Sequence, residues 1–174
     1  MADEIVDIVD EQDNVLYQLE RKEAYRQKLR CRVTHCFLID RQTGQFVMMI
    51  RSRNASFRPL HHALFGGFLQ SGETSEQGMR RELREEAGIE PPLQFIGKYL
   101  FTDPSNDQVF VDNVFVAMID AADVVIDPVD IEETAIMSFK ALSAMVTATD
   151  SQLHPLLPGQ VALLLEQCPE LLTQ

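Results

Sequence analysis

Three glutamates near the centre of the chain have a spacing that suits a metal ion. Glu82, Glu85 and Glu86 are three and four positions apart, so on an α-helix they share one face. Carboxylates at that spacing repel one another. A divalent cation would turn this repulsion into attraction, and Mg²⁺ in particular prefers oxygen ligands. The spacing therefore predicts a magnesium site on a helix.

The residues on either side of the glutamates predict the helix that carries them. Gly66-Gly67 permits unusual backbone conformations and the close approach of a ligand. Thr74 and Gln77 fit a capping box, with Thr74 as N-cap, and Gly88 is a typical helix stop. The segment is therefore predicted to be a loop followed by a helix that ends at Gly88.

An apolar stripe on this helix predicts which side packs against the core. Met79, Leu83 and Ala87 recur at every fourth position and form one face. The three glutamates lie off that stripe. We therefore expect their carboxylates to point away from the core.

The whole segment 67–89 resembles the Nudix box of the Nudix hydrolase superfamily. The resemblance rests on Gly67, Glu73, the run Arg81-Glu82-Leu83-Arg84-Glu85-Glu86 and Gly88-Ile89, all at the offsets of the box. It implies hydrolysis of a diphosphate linkage, in a nucleoside diphosphate derivative or a related small molecule, with Mg²⁺ or Mn²⁺. It also implies the Nudix fold, an α+β arrangement in which an α/β/α sandwich surrounds a mixed sheet.

The resemblance also implies roles for individual residues. Arg81 is expected to orient a carboxylate, for which Glu73 is a candidate, while the identity of the general base stays open among the glutamates. The implied metal ligands are Glu82, Glu85, Glu86 and the backbone carbonyl of Gly66. The implied catalytic residues are Glu85, Glu82 and Arg81.

Candidate substrate contacts lie outside the box. Arginine suits phosphate because its planar guanidinium binds two oxygens, and Arg51, Arg53 and Arg58 lie in or beside the loop before the box. The alternative for each is a solvated surface charge. The adjacent pair His61-His62 is a weaker candidate, because neighbouring residues on a strand face opposite sides.

The resemblance to the Nudix family also implies that a further carboxylate from outside the box takes part. The candidates are Asp130, Glu132 and Glu133, beside a predicted strand, and Glu133 is favoured. The alternative is that these are solvated loop acids.

The region before the box is similar to the isopentenyl-diphosphate isomerase-like branch of the superfamily. This similarity rests on Val6–Glu11, on Arg32-Val33-Thr34, on Gly44-Gln45 and on Arg51-Ser52-Arg53. True isomerases of that branch use a cysteine and histidines where this chain has Gly66, Phe68 and Cys31. The resemblance therefore predicts isomerase-like architecture with hydrolase chemistry and no isomerisation of isopentenyl diphosphate.

Composition limits the partners and the compartment. The 174 residues carry a formal net charge of −12, which argues against a general binder of nucleic acid or of anionic membranes. The three widely spaced cysteines predict free thiols and a cytoplasmic protein. Neither a signal peptide in the acidic segment Met1–Asp10 nor a membrane span is predicted. A homodimer is possible.

Along the chain, strands outnumber helices. Residues 1–29 are predicted to form a hairpin and a short helix, packed on a Nudix domain at 30–168. The predicted strands are Arg32–Asp40, Phe46–Ile50, Leu93–Phe101, Val109–Ile119 and Ile131–Phe139, and helices are predicted at Lys140–Thr147 and Pro158–Gln167.

Two alternatives to the hydrolase remain open at this stage. One is a Nudix-fold protein that binds a nucleotide without turning it over. The other is the isomerase, which the residues just described disfavour. The intact acidic helix favours the hydrolase, and metal-dependent phosphate release would separate it from the binding protein.

Overall fold

The computed structural model describes residues 4–172. The first three residues of the acidic N-terminal segment lie outside that range. The chain begins with a hairpin of β1 (Ile5–Val9) and β2 (Val15–Glu20), followed by the short helix α1 (Arg21–Arg26). These elements agree with the predicted hairpin and helix, and β1 also pairs with the central strand at Ile8–Cys31. The hairpin is thus an extension of the main sheet, and the boundary at residue 29 stays a prediction.

A single mixed sheet is organised around one long strand. β3 (Cys31–Asp40) runs parallel to β8 (Val109–Ile119) over its whole length. Its C-terminal half pairs antiparallel with β4 (Phe46–Arg51), and its N-terminal half pairs with β6 (Phe65–Phe68). The remaining strands are β5 (His62–Ala63), β7 (Gln94–Thr102) and β9 (Ile131–Met137).

Helices cover both faces of this sheet. On one face lies α2 (Ser75–Ala87), and on the other lie α3 (Phe139–Thr147) and α4 (Leu157–Gln167). Because side chains alternate along β3, Cys36 and Leu38 pack with α2, whereas Phe37 and Ile39 pack with α3 and α4. This is the predicted α+β fold, an α/β/α sandwich around a mixed sheet.

One predicted strand is too long. β9 ends at Met137, and Phe139 begins α3 instead of ending the strand. The reason is local, because the Ser138 hydroxyl accepts a hydrogen bond from the Ala141 N–H and caps the helix. Among the described residues, no helix has the length and apolar character that a membrane span needs.

Candidate metal and active site

The helix α2 begins and ends where the sequence predicts. The Thr74 hydroxyl accepts a hydrogen bond from the Gln77 N–H at 3.2 Å, and the Gln77 side chain accepts one from the Thr74 N–H at 2.9 Å. Gly88 ends the helix in the left-handed conformation, at φ 67°. Met79, Leu83 and Ala87 are each 0% exposed, so the predicted stripe is the buried face.

The predicted orientation of the glutamates is wrong for two of the three. Glu82 is only 8% exposed, and Glu86 is partly buried with its carboxylate turned towards β6. Glu85 alone is exposed. The cause is β6, which lies over this side of α2 and covers positions that face away from the apolar stripe.

The two glycines at the start of the box make room for these carboxylates. The Gly66 N–H donates to Glu86 Oε2 at 2.8 Å. A Cβ atom on Gly67 would lie 2.8 Å from Glu82 Oε1, and one on Gly66 would lie 2.0 Å from the Thr34 carbonyl oxygen. Both positions therefore exclude a side chain, and Gly66 also has a φ of +139°.

Arg81 connects the carboxylates. Its guanidinium donates to Glu73 at 2.8 and 3.0 Å, to Glu82 at 2.8 Å, to Glu85 at 3.2 Å and to the Phe68 carbonyl at 2.9 Å. Burial opposes the charge on Arg81, but its bonds with Glu73 and Glu82 outweigh burial and raise its pKa. The pairing with Glu73 is the one that the sequence proposes.

The surroundings of Glu82 and Glu86 do not fully stabilise a negative charge on these carboxyl groups. Burial raises the pKa of Glu82 to about 7, against the opposing effect of Arg81. Burial, followed by the charge of Glu82, raises the pKa of Glu86 well above its usual value, although the Gly66 N–H opposes this. Two oxygen donors in this state suit a hard divalent cation, which would replace the protons that they otherwise retain.

The carboxylates of α2 suit Mg²⁺ as a partial set of ligands, which water and substrate phosphates would complete. Among residues 4–172, no three His, Cys, Asp or Glu side chains are grouped as a ready-made metal cage. The carboxylate of Glu85 is drawn instead towards Arg81. Mg²⁺ is commonly held by one or two carboxylates, with water and substrate phosphates completing its shell, so the pair Glu82 and Glu86 is sufficient.

The predicted substrate contacts lie in different surroundings. Arg51 is partly buried and donates from Nε to the Phe57 carbonyl at 3.1 Å, and the charges of Glu86 and Asp130 act on it. Arg53 is exposed and forms an ion pair with Glu132. Arg51 therefore borders the carboxylate site, whereas Arg53 is occupied at the surface.

The candidate acids outside the box also differ in how close they lie to the carboxylate site. Glu133 is exposed on β9, opposite Ile50, and its charge acts on His62. Asp130 lies just before β9, and its charge acts on Glu86. The structure thus brings Asp130, more than the favoured Glu133, near the carboxylates.

The two adjacent histidines are engaged separately. Only His62 lies in a strand, and its Nδ1 is sealed from solvent without a hydrogen-bond partner. The Nδ1 of His61 lies 2.8 Å from the Pro59 carbonyl oxygen. Cys31 and Cys36 are buried free thiols, and burial raises the pKa of both.

A buried group outside the box was not found from the sequence. His35, Asp112 and Gln160 form a continuous hydrogen-bonded chain beside β6. They are 77 and 48 positions apart along the chain, so no local pattern connects them.

Comparisons with known proteins concern the family and the fold of the chain. The NUDIX domain model matches residues 29–157. An uncharacterised Nudix hydrolase of Yersinia pestis is 38% identical over 102 residues, which is 58% of this chain and 56% of that protein. One from Streptomyces coelicolor is 35% identical over 104 residues, 59% of this chain and 58% of that protein. The chain thus spans little more than half the length of these curated relatives.

Solved structures share the fold. The crystal structure of DR0079 from Deinococcus radiodurans matches with a TM-score of 0.76 at 28% identity, covering 91% of this chain and 98% of that one. The NUDIX domain of NrtR from Shewanella oneidensis, solved with ADP ribose, matches with a TM-score of 0.63 at 17% identity, covering 89% of this chain and 100% of that one. The second likeness concerns the fold alone.

Proposed function

The chain belongs to the NUDIX domain family, and we propose that it is a metal-dependent hydrolase of a diphosphate linkage in a nucleoside diphosphate derivative or related small molecule. One observation carries the proposal. Glu82 and Glu86 are two carboxylates turned away from solvent, with raised pKa values, and they lie against the glycines that make room for them. A pair of this kind costs stability unless a cation binds it.

The residues proposed to hold the metal are Glu82, Glu85, Glu86 and the backbone carbonyl of Gly66. A bound Mg²⁺ or Mn²⁺ would neutralise phosphate charge and lower the pKa of a water molecule. Glu82 and Glu86 are the buried ligands. Glu85 reaches solvent and can join them once it leaves Arg81.

The catalytic roles are assigned to Glu85, Glu82 and Arg81. In hydrolysis, a water oxygen bonds to one phosphorus, the bridging P–O bond breaks, and the second phosphate leaves with that bond's electrons. We assign to Glu85 the role of accepting the proton of water, because it is the box glutamate that solvent reaches. Arg81 holds Glu82 in position through its hydrogen bond, and it holds Glu85 until Glu85 turns towards the metal.

Arg51 is proposed to bind a substrate phosphate. Arginine is seldom buried without an acidic partner, yet Arg51 makes no ion pair within 4 Å among the described residues. Arg53 could contribute only by leaving Glu132. Glu133 stays a proposed contact. Asp130 is the alternative, because its charge acts on Glu86.

A screen of nucleotide and non-nucleotide diphosphates with Mg²⁺, with products identified by mass, tests the proposal. We expect at least one compound to be cleaved at a P–O–P linkage, and EDTA to abolish the reaction. ADP ribose belongs in the panel because the NrtR domain was solved with it. Tight binding of several compounds without cleavage of any would favour the binding protein instead.

We also propose that the chain has the architecture of the isopentenyl-diphosphate isomerase-like branch but not its activity. The segment Val6–Glu11 forms β1 and the turn after it, and that hairpin extends the sheet. Gly66 has no side chain to supply the proton that isomerisation needs, and Cys31 is buried with a raised pKa. We therefore expect no allylic product from isopentenyl diphosphate.

The remaining proposals concern partners and location. The net charge of −12 favours a small-molecule substrate over nucleic acid or an anionic membrane. Free thiols at all three cysteines suit a cytoplasmic protein. A homodimer stays a possibility that size-exclusion chromatography with light scattering can test.

A further inference from the structure

The N-terminal hairpin supplies a buried carboxylate to the loop that leads into α2. Asp7, in β1, is 9% exposed, and its neighbours Val6 and Ile8 pack in an apolar cluster. The Ser71 hydroxyl donates to Asp7 Oδ1 at 2.7 Å, and the Gly72 nitrogen lies 3.5 Å from Asp7 Oδ2. The loop is therefore held by an acidic side chain that lies 64 positions away along the chain.

The partners of Asp7 lie outside the hairpin to which it belongs. Burying a charged carboxylate is unfavourable unless hydrogen bonds or ion pairs offset the lost hydration. Besides the loop, the nearby partner is Arg32 of β3, whose Nη1 lies 3.8 Å from Asp7 Oδ2. The strand thus carries a group that is costly to bury, and the short hydrogen bond that offsets the cost comes from Ser71.

Backbone contacts bring the hairpin and the loop together. The Ser71 N–H donates to the Ile5 carbonyl at 2.8 Å, and Val6 forms an antiparallel bridge with Gln70. The segment 70–71 therefore lies directly beside β1, and its position depends on the hairpin.

The same loop anchors Arg81. The Gln70 N–H donates to Glu73 Oε2 at 2.9 Å, and the Glu73 N–H donates to the Gln70 carbonyl at 3.1 Å. The Glu73 carboxylate accepts two hydrogen bonds from the Arg81 guanidinium, at 2.8 and 3.0 Å. Arg81 in turn donates to Glu82 at 2.8 Å. A continuous series of contacts therefore runs from Asp7, through the loop, to a carboxylate of the candidate metal site.

We propose that Asp7 is a positioning residue for the active site. It holds the loop 70–73 in the conformation in which Glu73 fixes Arg81 beside the metal ligands. The hairpin lies outside residues 29–157, which the NUDIX domain model matches, so this contribution comes from the part of the chain before the matched domain. The inference rests on the proposed function and adds the N-terminal hairpin to the proposed site.

Loss of Asp7 should act on metal binding through geometry. Without the carboxylate, the Ser71 hydroxyl can bond to water and the loop gains other conformations, so Arg81 is held less firmly. Groups that orient metal ligands typically contribute about 10- to 100-fold to metal affinity. Because Asp7 acts through the loop and touches no ligand directly, we expect an effect at the low end of that range.

Mn²⁺ binding to the full chain, followed by electron paramagnetic resonance without substrate, tests the inference. Asp7→Ala should weaken Mn²⁺ binding about 10-fold while the protein still unfolds cooperatively. Asp10→Ala is the matched control, because the Asp10 carboxylate accepts hydrogen bonds from the Gln12 and Asn14 N–H groups, all within the hairpin. It should leave the Mn²⁺ affinity within about twofold of the unmodified chain.

Three further variants connect the effect to one hydrogen bond. Ser71→Ala removes the donor and should weaken Mn²⁺ binding about as much as Asp7→Ala does. The double variant should lose little more, because both substitutions act on the same contact. Asp7→Asn keeps an oxygen that can accept from Ser71, so it should recover most of the affinity.

These results bear on the inference whether or not turnover is found. Unchanged Mn²⁺ affinity in folded Asp7→Ala or Ser71→Ala, equal losses in Asp7→Ala and Asp10→Ala, or no recovery in Asp7→Asn would overturn it, even if the unmodified chain hydrolyses a diphosphate. Should Asp7→Ala fail to fold, Ser71→Ala decides, because it leaves the hairpin unchanged. Weaker binding that Asp7→Asn recovers would support the inference even if no diphosphate is cleaved.

Discussion

Two buried polar clusters on opposite faces of the sheet differ in how their charge is satisfied. On the α2 face, Glu82 and Glu86 lie close together, and burial with mutual repulsion raises the pKa of Glu86. On the α4 face, Asp112 has one partner for each oxygen, His35 and Gln160. In the first cluster the arginines do not offset the burial of the carboxylates, whereas in the second cluster both carboxylate oxygens are hydrogen-bonded within the protein. We infer that the first binds a cation and that the second holds a side chain in position.

The largest effect is expected from substitutions that remove a carboxylate from the first cluster. Glu86→Gln and Glu85→Gln should each lower kcat/KM for the cleaved diphosphate by at least about 100-fold, because a charged group is lost from the transition state. Glu90→Gln is the control, since Glu90 pairs with Arg84 at the exposed end of the segment. Losses below about threefold for both variants, in steady-state assays, would place the chemistry elsewhere.

A smaller effect is expected from filling the space beside Glu82. Gly67→Ala would put a Cβ atom 2.8 Å from Glu82 Oε1 and displace that carboxylate. We expect about 10-fold weaker Mg²⁺ binding with the fold retained, since one of few ligands is moved. Titration of the metal gives the affinity and circular dichroism checks the fold. Unchanged affinity would mean that Glu82 is not a ligand.

The second cluster can be tested through stability. Gln160→Leu leaves Asp112 Oδ2 buried without its donor and should cost about 1–3 kcal/mol of unfolding free energy. Gln167→Leu lies exposed on the same helix and should stay within about 0.5 kcal/mol. Urea denaturation measures both. Equal stability of the two variants would show that Asp112 finds another partner.

A further test is the pH dependence of the stability of the metal-free protein. The pKa of Glu82 is raised from 4.5 to about 7, so the folded state binds its proton more tightly than the unfolded chain does. Its contribution to stability is therefore present below pH 4.5 and is lost as pH rises through 7. Urea denaturation should therefore show that the unmodified protein loses stability relative to the Glu82→Gln variant as the pH rises from 4.5 to about 7. A relative gain would contradict the burial of this carboxylate.

Much of the first cluster could be predicted from the sequence because its signals are local. The capping residues Thr74 and Gln77, the apolar stripe and Gly88 all lie within one segment, and the structure confirms each of them. The burial of Glu82 and Glu86 could not be predicted, because β6 covers them and helical spacing does not reveal what packs on a helix.

The second cluster has no local signal at all. His35, Asp112 and Gln160 come from β3, β8 and α4, and they meet only when the sheet forms. Polar residues within two largely apolar strands, such as His35 in β3 and Asp112 in β8, were the available clue, but they do not identify their partners. The start of α3 could have been predicted from the sequence, because Ser138 precedes an apolar run and serine is a common N-cap residue.

The most direct test of the account is binding of Mn²⁺, followed by electron paramagnetic resonance, to the unmodified chain and to Glu86→Gln. We predict saturable binding to the unmodified chain, competed by Mg²⁺, and at least about 10-fold weaker binding to the variant, because a buried anionic ligand is lost. Equal Mn²⁺ affinity in the two proteins would contradict the claim that the under-neutralised carboxylates of α2 are the metal site.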